Sequence, residues 1–160
     1  MNNFPFKSAI ACLFLFFISC SDSSVETENL NDNGTNSDFE IEIMNLINQH
    51  RTNKGLTALN ILEIIKSQTD NHTDYMIAKA ELSHDDFNVR ADYLRTNANA
   101  TNIAENVANG YTTAQAVVNG WISSNGHREN IEGDFSHFNL TAKQHANGVW
   151  YYTNIFIKVQ

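Results

Sequence analysis

Residues 149–159 constrain the fold of this chain more than any other stretch. Trp150, Tyr152, Asn154 and Phe156 alternate with Val149, Tyr151, Thr153, Ile155, Ile157 and Val159. Successive side chains of a strand point to opposite faces, so a strand with large apolar groups on both faces needs a covering layer on each side. Asn147-Gly148 immediately upstream is a strong two-residue hairpin signal. Ahead of it Phe138, Leu140 and Ala142 alternate as an antiparallel partner.

The covering layers must come from the earlier part of the chain, whose period is helical. Ser37-x-x-Glu40 is a capping box, and Phe39, Ile43, Leu46, Ile47 and His50 follow it at helical spacing until Gly55. Asn60-x-x-Glu63 opens a second helix by the same logic. Ile61, Ile65, His72 and Met76 share its face, which runs on to about Leu82. Residues 86–96 read as a short third helix with Val89, Tyr93 and Leu94 inward, and residues 97–101 read as loop. Thr112 or Thr113 caps a fourth helix, with Val117, Val118, Trp121 and Ile122 on its apolar face. Asn125-Gly126 is a turn signal that ends it, so His127 follows just past its last turn. Helices first and antiparallel strands last indicate the α+β class.

Residues 1–19 form an export signal, with Lys7 as the short positive region and an apolar run from Ile10 to Ile18. That run is shorter than the roughly 20 apolar residues a spanning helix needs. It ends in Phe17-Ile18-Ser19-Cys20, which resembles a bacterial lipoprotein processing site, where the cysteine is lipidated and becomes the mature N-terminus. An ordinary cleaved signal is the competing reading. Residues 20–37 then form an acidic, flexible tether, and as a coil its last 17 residues span about 20–25 Å root-mean-square. Residues 38–160 form the domain. The only cysteines are Cys12 and Cys20, both upstream of it, so no disulfide staples the domain. From Cys20 onward the chain carries 9 basic against 18 acidic residues. That balance argues against a nucleic-acid partner, whose phosphates require a basic footprint.

Several further segments point to a family. Leu46-Ile47-Asn48-x-x-Arg51-x-x-x-Gly55-Leu56-x-x-Leu59, then Ser83-His84-Asp85, then Ala104-Glu105-Asn106-Val107-Ala108, Trp121 and Gly126-His127-Arg128-x-Asn130-Ile131 occur in order. Together they resemble the signature of the CAP superfamily (cysteine-rich secretory, antigen 5 and pathogenesis-related 1 proteins, also called the SCP domain), in its short bacterial branch. The resemblance implies a three-layer α-β-α sandwich. It also implies a cleft lined by His84, Glu105 and His127. The second acid of the longer members falls near Ser124, which supplies no carboxylate. Asn48, Arg51, Asn106, Ser124 and Asn130 are the implied cleft-supporting residues. An arginine one turn after an asparagine can brace a neighbouring loop, and Asn106 and Asn130 are expected to bond backbone in their turns.

Two imidazoles and a carboxylate can hold zinc weakly in a site with an open position, or act as base and acid without metal. They can also simply satisfy one another and order a cleft floor. His72 reads as a satisfied core histidine, His50 as a boundary of the core, and His137 and His145 as solvated loop residues. Nothing in the chain matches a G-x-S-x-G elbow or a phosphate loop. Three functions compete. The first is a non-enzymatic cleft-binding module for a small lipid, peptide or glycan, exported and held at the cell envelope through Cys20. The others are a metal-dependent hydrolase acting on peptide or cell-wall material, and a surface protein that uses a face outside the cleft.

Overall fold

A computed structural model describes Met1 and residues 35–160. The export signal, Cys20 and the tether up to residue 34 lie outside the described residues. Among the described residues nine elements follow in order: α1 (Asp38–Asn53), β1 (Asn60–Ile61), α2 (Glu63–Lys79), α3 (Phe87–Ala98), β2 (Ala100–Asn109), α4 (Ala114–Ser123), α5 (Asn125–Glu132), β3 (His137–Gln144) and β4 (Trp150–Val159). The sheet order is β1-β3-β4-β2. β4 pairs antiparallel with both β2 and β3, and β1 runs parallel to β3.

β4 is the central strand, and both its faces are covered as the alternation requires. On one face Tyr152 and Phe156 join Phe138, Leu140 and Ala108 beneath Ile43, Met44 and Ile47 of α1 and Val117, Val118 and Trp121 of α4. Trp121 meets Tyr152 edge-on at 6.3 Å, and Phe138 stacks on Phe156 at 6.3 Å. On the other face Ile155 and Ile157 pack with Ile65 of α2 and Leu94 of α3, and Tyr151 packs with Met76 and Val107. The result is the expected three-layer α-β-α sandwich, α1, α4 and α5 on one side and α2 and α3 on the other.

Several local expectations give way to tertiary pairing. The capping box of α1 forms as read, Ser37 with Glu40, and Thr113 caps α4. The second helix starts later than expected, because Asn60 is drawn into β1, where its N–H donates to Ser136 O at 3.0 Å. Ile61 is therefore exposed rather than on the helix face. On α3 the inward residues are Arg90, Ala91 and Leu94, while Val89 and Tyr93 face solvent. Residues 100–109, partly read as loop, are β2. Asn125-Gly126 does not form a turn: Ser124 closes α4 and opens α5 in one step, which places His127 in the first turn of a second helix. The hairpin forms where expected, but its loop is longer than two residues, with His145 N–H donating to Val149 O and Gly148 in the left-handed region at φ +88°. His137 opens β3 instead of lying in a loop.

Beyond its two-residue pairing with β1, the outer edge of β3 is sealed by charge. Lys66 Nζ lies 2.9 Å from Glu40 Oε1, both side chains 5% exposed. Lys66 also donates to Leu140 O and Thr141 Oγ1, while Ala142 N–H donates to Glu40 Oε1 at 2.7 Å. Asn36 Nδ2 reaches the same Leu140 carbonyl at 2.9 Å. An open strand edge invites pairing with another chain, and here a helix from each face covers it.

Candidate cleft at the edge of β2

Glu105 lies in the middle of β2 opposite Ile155, so its side chain enters the layer formed by α2 and α3. It is 6% exposed. A buried carboxylate requires partners, and Glu105 has two strong ones. Arg90 holds it in a fork: Nε donates to Oε2 at 2.8 Å and Nη2 to Oε1 at 2.9 Å. Arg90 Nη1 in turn donates to Asp85 O at 2.7 Å, which fixes the segment carrying His84. His84 Nδ1 lies 2.8 Å from Glu105 Oε1. A carboxylate accepts only, so Nδ1 carries the proton, and Nε2 is the remaining acceptor of the neutral ring. The His84 side chain is 53% exposed.

His72 borders the same carboxylate, its Nε2 3.9 Å from Glu105 Oε1. That nitrogen is committed to Ser83 O at 2.7 Å, and the ring stacks on Tyr75. Burial pushes the pKa of His72 down, against the opposing pull of Ser83 O and Glu105. This is the satisfied histidine that its place on α2 suggested.

His127 approaches from the other face of the sheet. Asn106 Nδ2 donates to His127 O at 3.0 Å, and Asn130 Nδ2 donates to Asn106 Oδ1 at 2.8 Å and to Glu105 O at 3.3 Å. Both asparagines thus bond across the junction of α5 with β2 rather than within their own turns. Trp121 Nε1 adds a bond to Val107 O at 3.2 Å. These bonds bind α4 and α5 to the outer edge of β2. Burial lowers the pKa of His127, and the nearby His84 lowers it further, so the two imidazoles lie within electrostatic reach of each other. His127 and Ser124 line a cleft of about 240 Å³ with Leu82, Val107, Ala108, Asn109, Tyr111, Gly120 and Trp121.

Asn48 and Arg51 work elsewhere. Asn48 clasps the backbone of Leu59 through its N–H and its carbonyl, at 2.8 and 2.9 Å. Arg51, 3% exposed, spends Nε on Thr57 O and Nη1 on Ile131 O and Gly133 O. They tie α1 to two loops, and neither bonds to His84, Glu105 or His127.

As three ligands, His84, Glu105 and His127 do not fit a metal ion. Both oxygens of Glu105 accept from the Arg90 guanidinium, whose positive charge opposes a cation entering there. Among the described residues no group of three or more His, Cys, Asp or Glu is arranged to hold a metal. Arg90 was not singled out from the sequence. Its signal was an arginine on the inward stripe of α3, one turn before Leu94, where a charge must find a partner. Among the described residues, no hydrogen bond joins the ring of His84 or His127 to a hydroxyl or thiol. The arrangement therefore orients the His84 imidazole through Glu105, while His127 and Ser124 line the neighbouring cleft.

Comparison with known proteins places the fold. The model of the cysteine-rich secretory protein family, CAP, matches residues 44–156. An outer surface protein from Borrelia burgdorferi superposes with a TM-score of 0.69 at 16% identity, over 79% of this chain and 97% of that one. An extracellular protein containing a SCP domain from Bacillus anthracis superposes with a TM-score of 0.63 at 24% identity, over 74% of this chain and 40% of its own. A cysteine-rich secretory protein from Staphylococcus aureus gives 0.61 at 20% identity, over 74% and 38%. The chain thus spans well under half of the last two proteins, and at these identities the likeness speaks for the fold. A search of curated proteins finds no match. On the family match and the sandwich that carries it, the chain belongs to the CAP family of cysteine-rich secretory proteins.

Proposed function

We propose that this is an exported CAP domain, tethered to the cell envelope through Cys20, whose cleft binds a small ligand without chemically transforming it. The commitment of Glu105 carries the reading. The carboxylate that would serve as acid, base or metal ligand is instead neutralised by Arg90 and used to orient His84. What remains accessible is a compact, largely apolar cleft with one imidazole on its wall. Two similar structures, an outer surface protein and an extracellular protein, support an extracytoplasmic location. Among the described residues no helix is long and apolar enough to cross a membrane. A lipid anchor at Cys20 supplies the attachment in this reading, two acyl chains being enough for stable anchoring.

Zinc titration by calorimetry tests the site. The wild-type chain is expected to give no more heat than His127→Ala. Strong binding that His127→Ala abolishes would reinstate the metal-dependent reading. Membrane fractionation tests the tether, and Cys20→Ser is expected to release the protein. A hydrolytic reading draws on one observation, the His84 ring held by a carboxylate. Turnover of peptide or cell-wall fragments that disappears in His84→Gln would favour it over binding alone.

A further inference from the structure

Five of the seven glycines follow an asparagine, at positions 34, 110, 120, 126 and 148. An Asn-Gly pair can react with itself, because glycine has no Cβ to keep its backbone nitrogen away from the asparagine amide. Sequence alone does not rank the five. Asn33-Gly34 lies outside the described residues, and the structure separates the other four.

Three of these four are held. Gly110 N–H donates to Trp150 O at 2.9 Å, and Gly148 N–H donates to His145 O at 2.8 Å. Gly120 lies inside α4, whose backbone ladder occupies its N–H. Each of those nitrogens must give up a hydrogen bond before it can attack a neighbouring side chain.

Gly126 differs. It stands in the first turn of α5, where a helix leaves its N–H groups without partners, and among the described residues its N–H bonds to nothing. Ser124, in extended backbone at ψ 124°, gives that turn no side-chain cap, so the turn opens at little cost. Asn125 and Gly126 are both exposed. The Asn125 amide is also engaged in the sense that favours reaction. Arg128 Nη2 donates to Asn125 Oδ1 at 2.9 Å, while Arg128 Nη1 is fixed on Ile122 O at 3.0 Å. A guanidinium on the amide oxygen draws electrons from Cγ and stabilises the negative charge that grows on that oxygen under attack.

We propose that Asn125-Gly126 is a self-modification site, at which the chain slowly exchanges a neutral amide for a carboxylate beside the cleft. Gly126 N gives its proton to solvent and bonds to Asn125 Cγ. The Cγ–Nδ2 bond breaks, and the amide nitrogen takes a proton from water and leaves as ammonia. A second water opens the cyclic imide at either carbonyl, leaving an aspartate or an isoaspartate, with nothing oxidised or reduced. The aspartate product suits its place, since its carboxylate faces Arg128 and the positive end of α5. Ser124 before it and His127 after it line the cleft, and among the described residues no Asp or Glu does. The charge at that corner of the cleft thus depends on the age of the molecule.

Peptide mapping by mass spectrometry of the purified full chain, held in neutral to mildly alkaline buffer, tests the proposal. The peptide carrying Asn125 is expected to convert from amide to acid severalfold faster than those carrying Asn109, Asn119 and Asn147. The rate should rise with pH, since the attacking nitrogen must lose its proton. In denaturant the four rates should converge, because the selection comes from the fold. Gly126→Ala should suppress the reaction while melting stays near wild type, as a Cβ at that position meets nothing within 4 Å. Arg128→Met should slow the reaction. Conversion at Asn109, Asn119 or Asn147 ahead of Asn125 in the native chain overturns the proposal, and so does an unchanged rate in Gly126→Ala. A faster rate in Arg128→Met would show that the arginine restrains the amide, and would overturn its activating role.

Discussion

Replacing Arg90 by methionine tests whether its fork on Glu105 is a structural keystone. Both residues are 6% exposed, and the substitution removes two hydrogen bonds to Glu105 and a third to Asp85 O. Removing one partner of a buried pair leaves the other charge uncompensated, at a cost of about 3–5 kcal/mol. His84 keeps its bond to Oε1, so the lower half of that range applies, about 3–4 kcal/mol. For a domain of this size the melting temperature should fall by roughly 10–15 °C. The companion variant Arg90→Met with Glu105→Leu removes both charges and should recover most of the loss, because well-packed apolar replacements of buried ion pairs are often neutral or better. Chemical denaturation of wild type, both single variants and the double variant closes the cycle. A cost below about 1 kcal/mol for Arg90→Met, or a double variant as unstable as the sum of the singles, would refute the coupling.

Trp121→Ala should destabilise the domain by about 3–5 kcal/mol, since its ring is 1% exposed and also loses the bond to Val107 O; thermal melting reads it. His72 and His127 have folded pKa values below their ordinary 6.5. The unfolded chain therefore binds more protons there, and stability should fall as pH drops below about 6.5, the lost stability being fully present above it. Denaturant midpoints from pH 8 to 5 should show that slope, reduced in His72→Gln; an unchanged slope would exonerate His72. Asn154 is fully buried in β4, and among the described residues its amide has no hydrogen-bond partner. Asn154→Leu is thus expected to be neutral or to stabilise by about 1 kcal/mol, and a clear loss in denaturation would show that an internal water completes the site.

The layers of the sandwich were legible because they rest on patterns local in sequence. The two apolar faces of β4, the Ser37–Glu40 box and the Thr113 cap each need only their neighbours. β2 was hidden because the site is built on it. Asn102, Glu105 and Asn106 interrupt its apolar pattern, and Ala100, Ala104 and Ala108 give little of the β-branched signal that marks a strand. The same cause misled the reading of α3, where Val89 and Tyr93 look like the inward pair until Arg90 is needed for Glu105. Likewise α2 turns Lys66, Thr69, His72 and Thr73 inward, because the strands it covers offer Thr141 and Thr153 as partners. His84 and Glu105 came from the family resemblance, and their contact with each other could not have come from a spacing of 21 residues.

The position of β4 bears on how the domain comes into being. The strand that joins β3 to β2 comes after the other eight described elements in the chain, so during vectorial synthesis the described sheet stays incomplete until residues 150–159 have emerged. Every residue of the cleft precedes residue 133, yet among the described residues the strand carrying Glu105 has no other neighbour in the sheet to pair with. Until then β3 has only its two-residue pairing with β1, and the helices lack the central strand they pack against; isolated helices of this length are marginal in water. A polypeptide of this design is expected to complete its sheet, and with it the site, in one late step. That is a useful property for any chain that must thread an export channel before it folds.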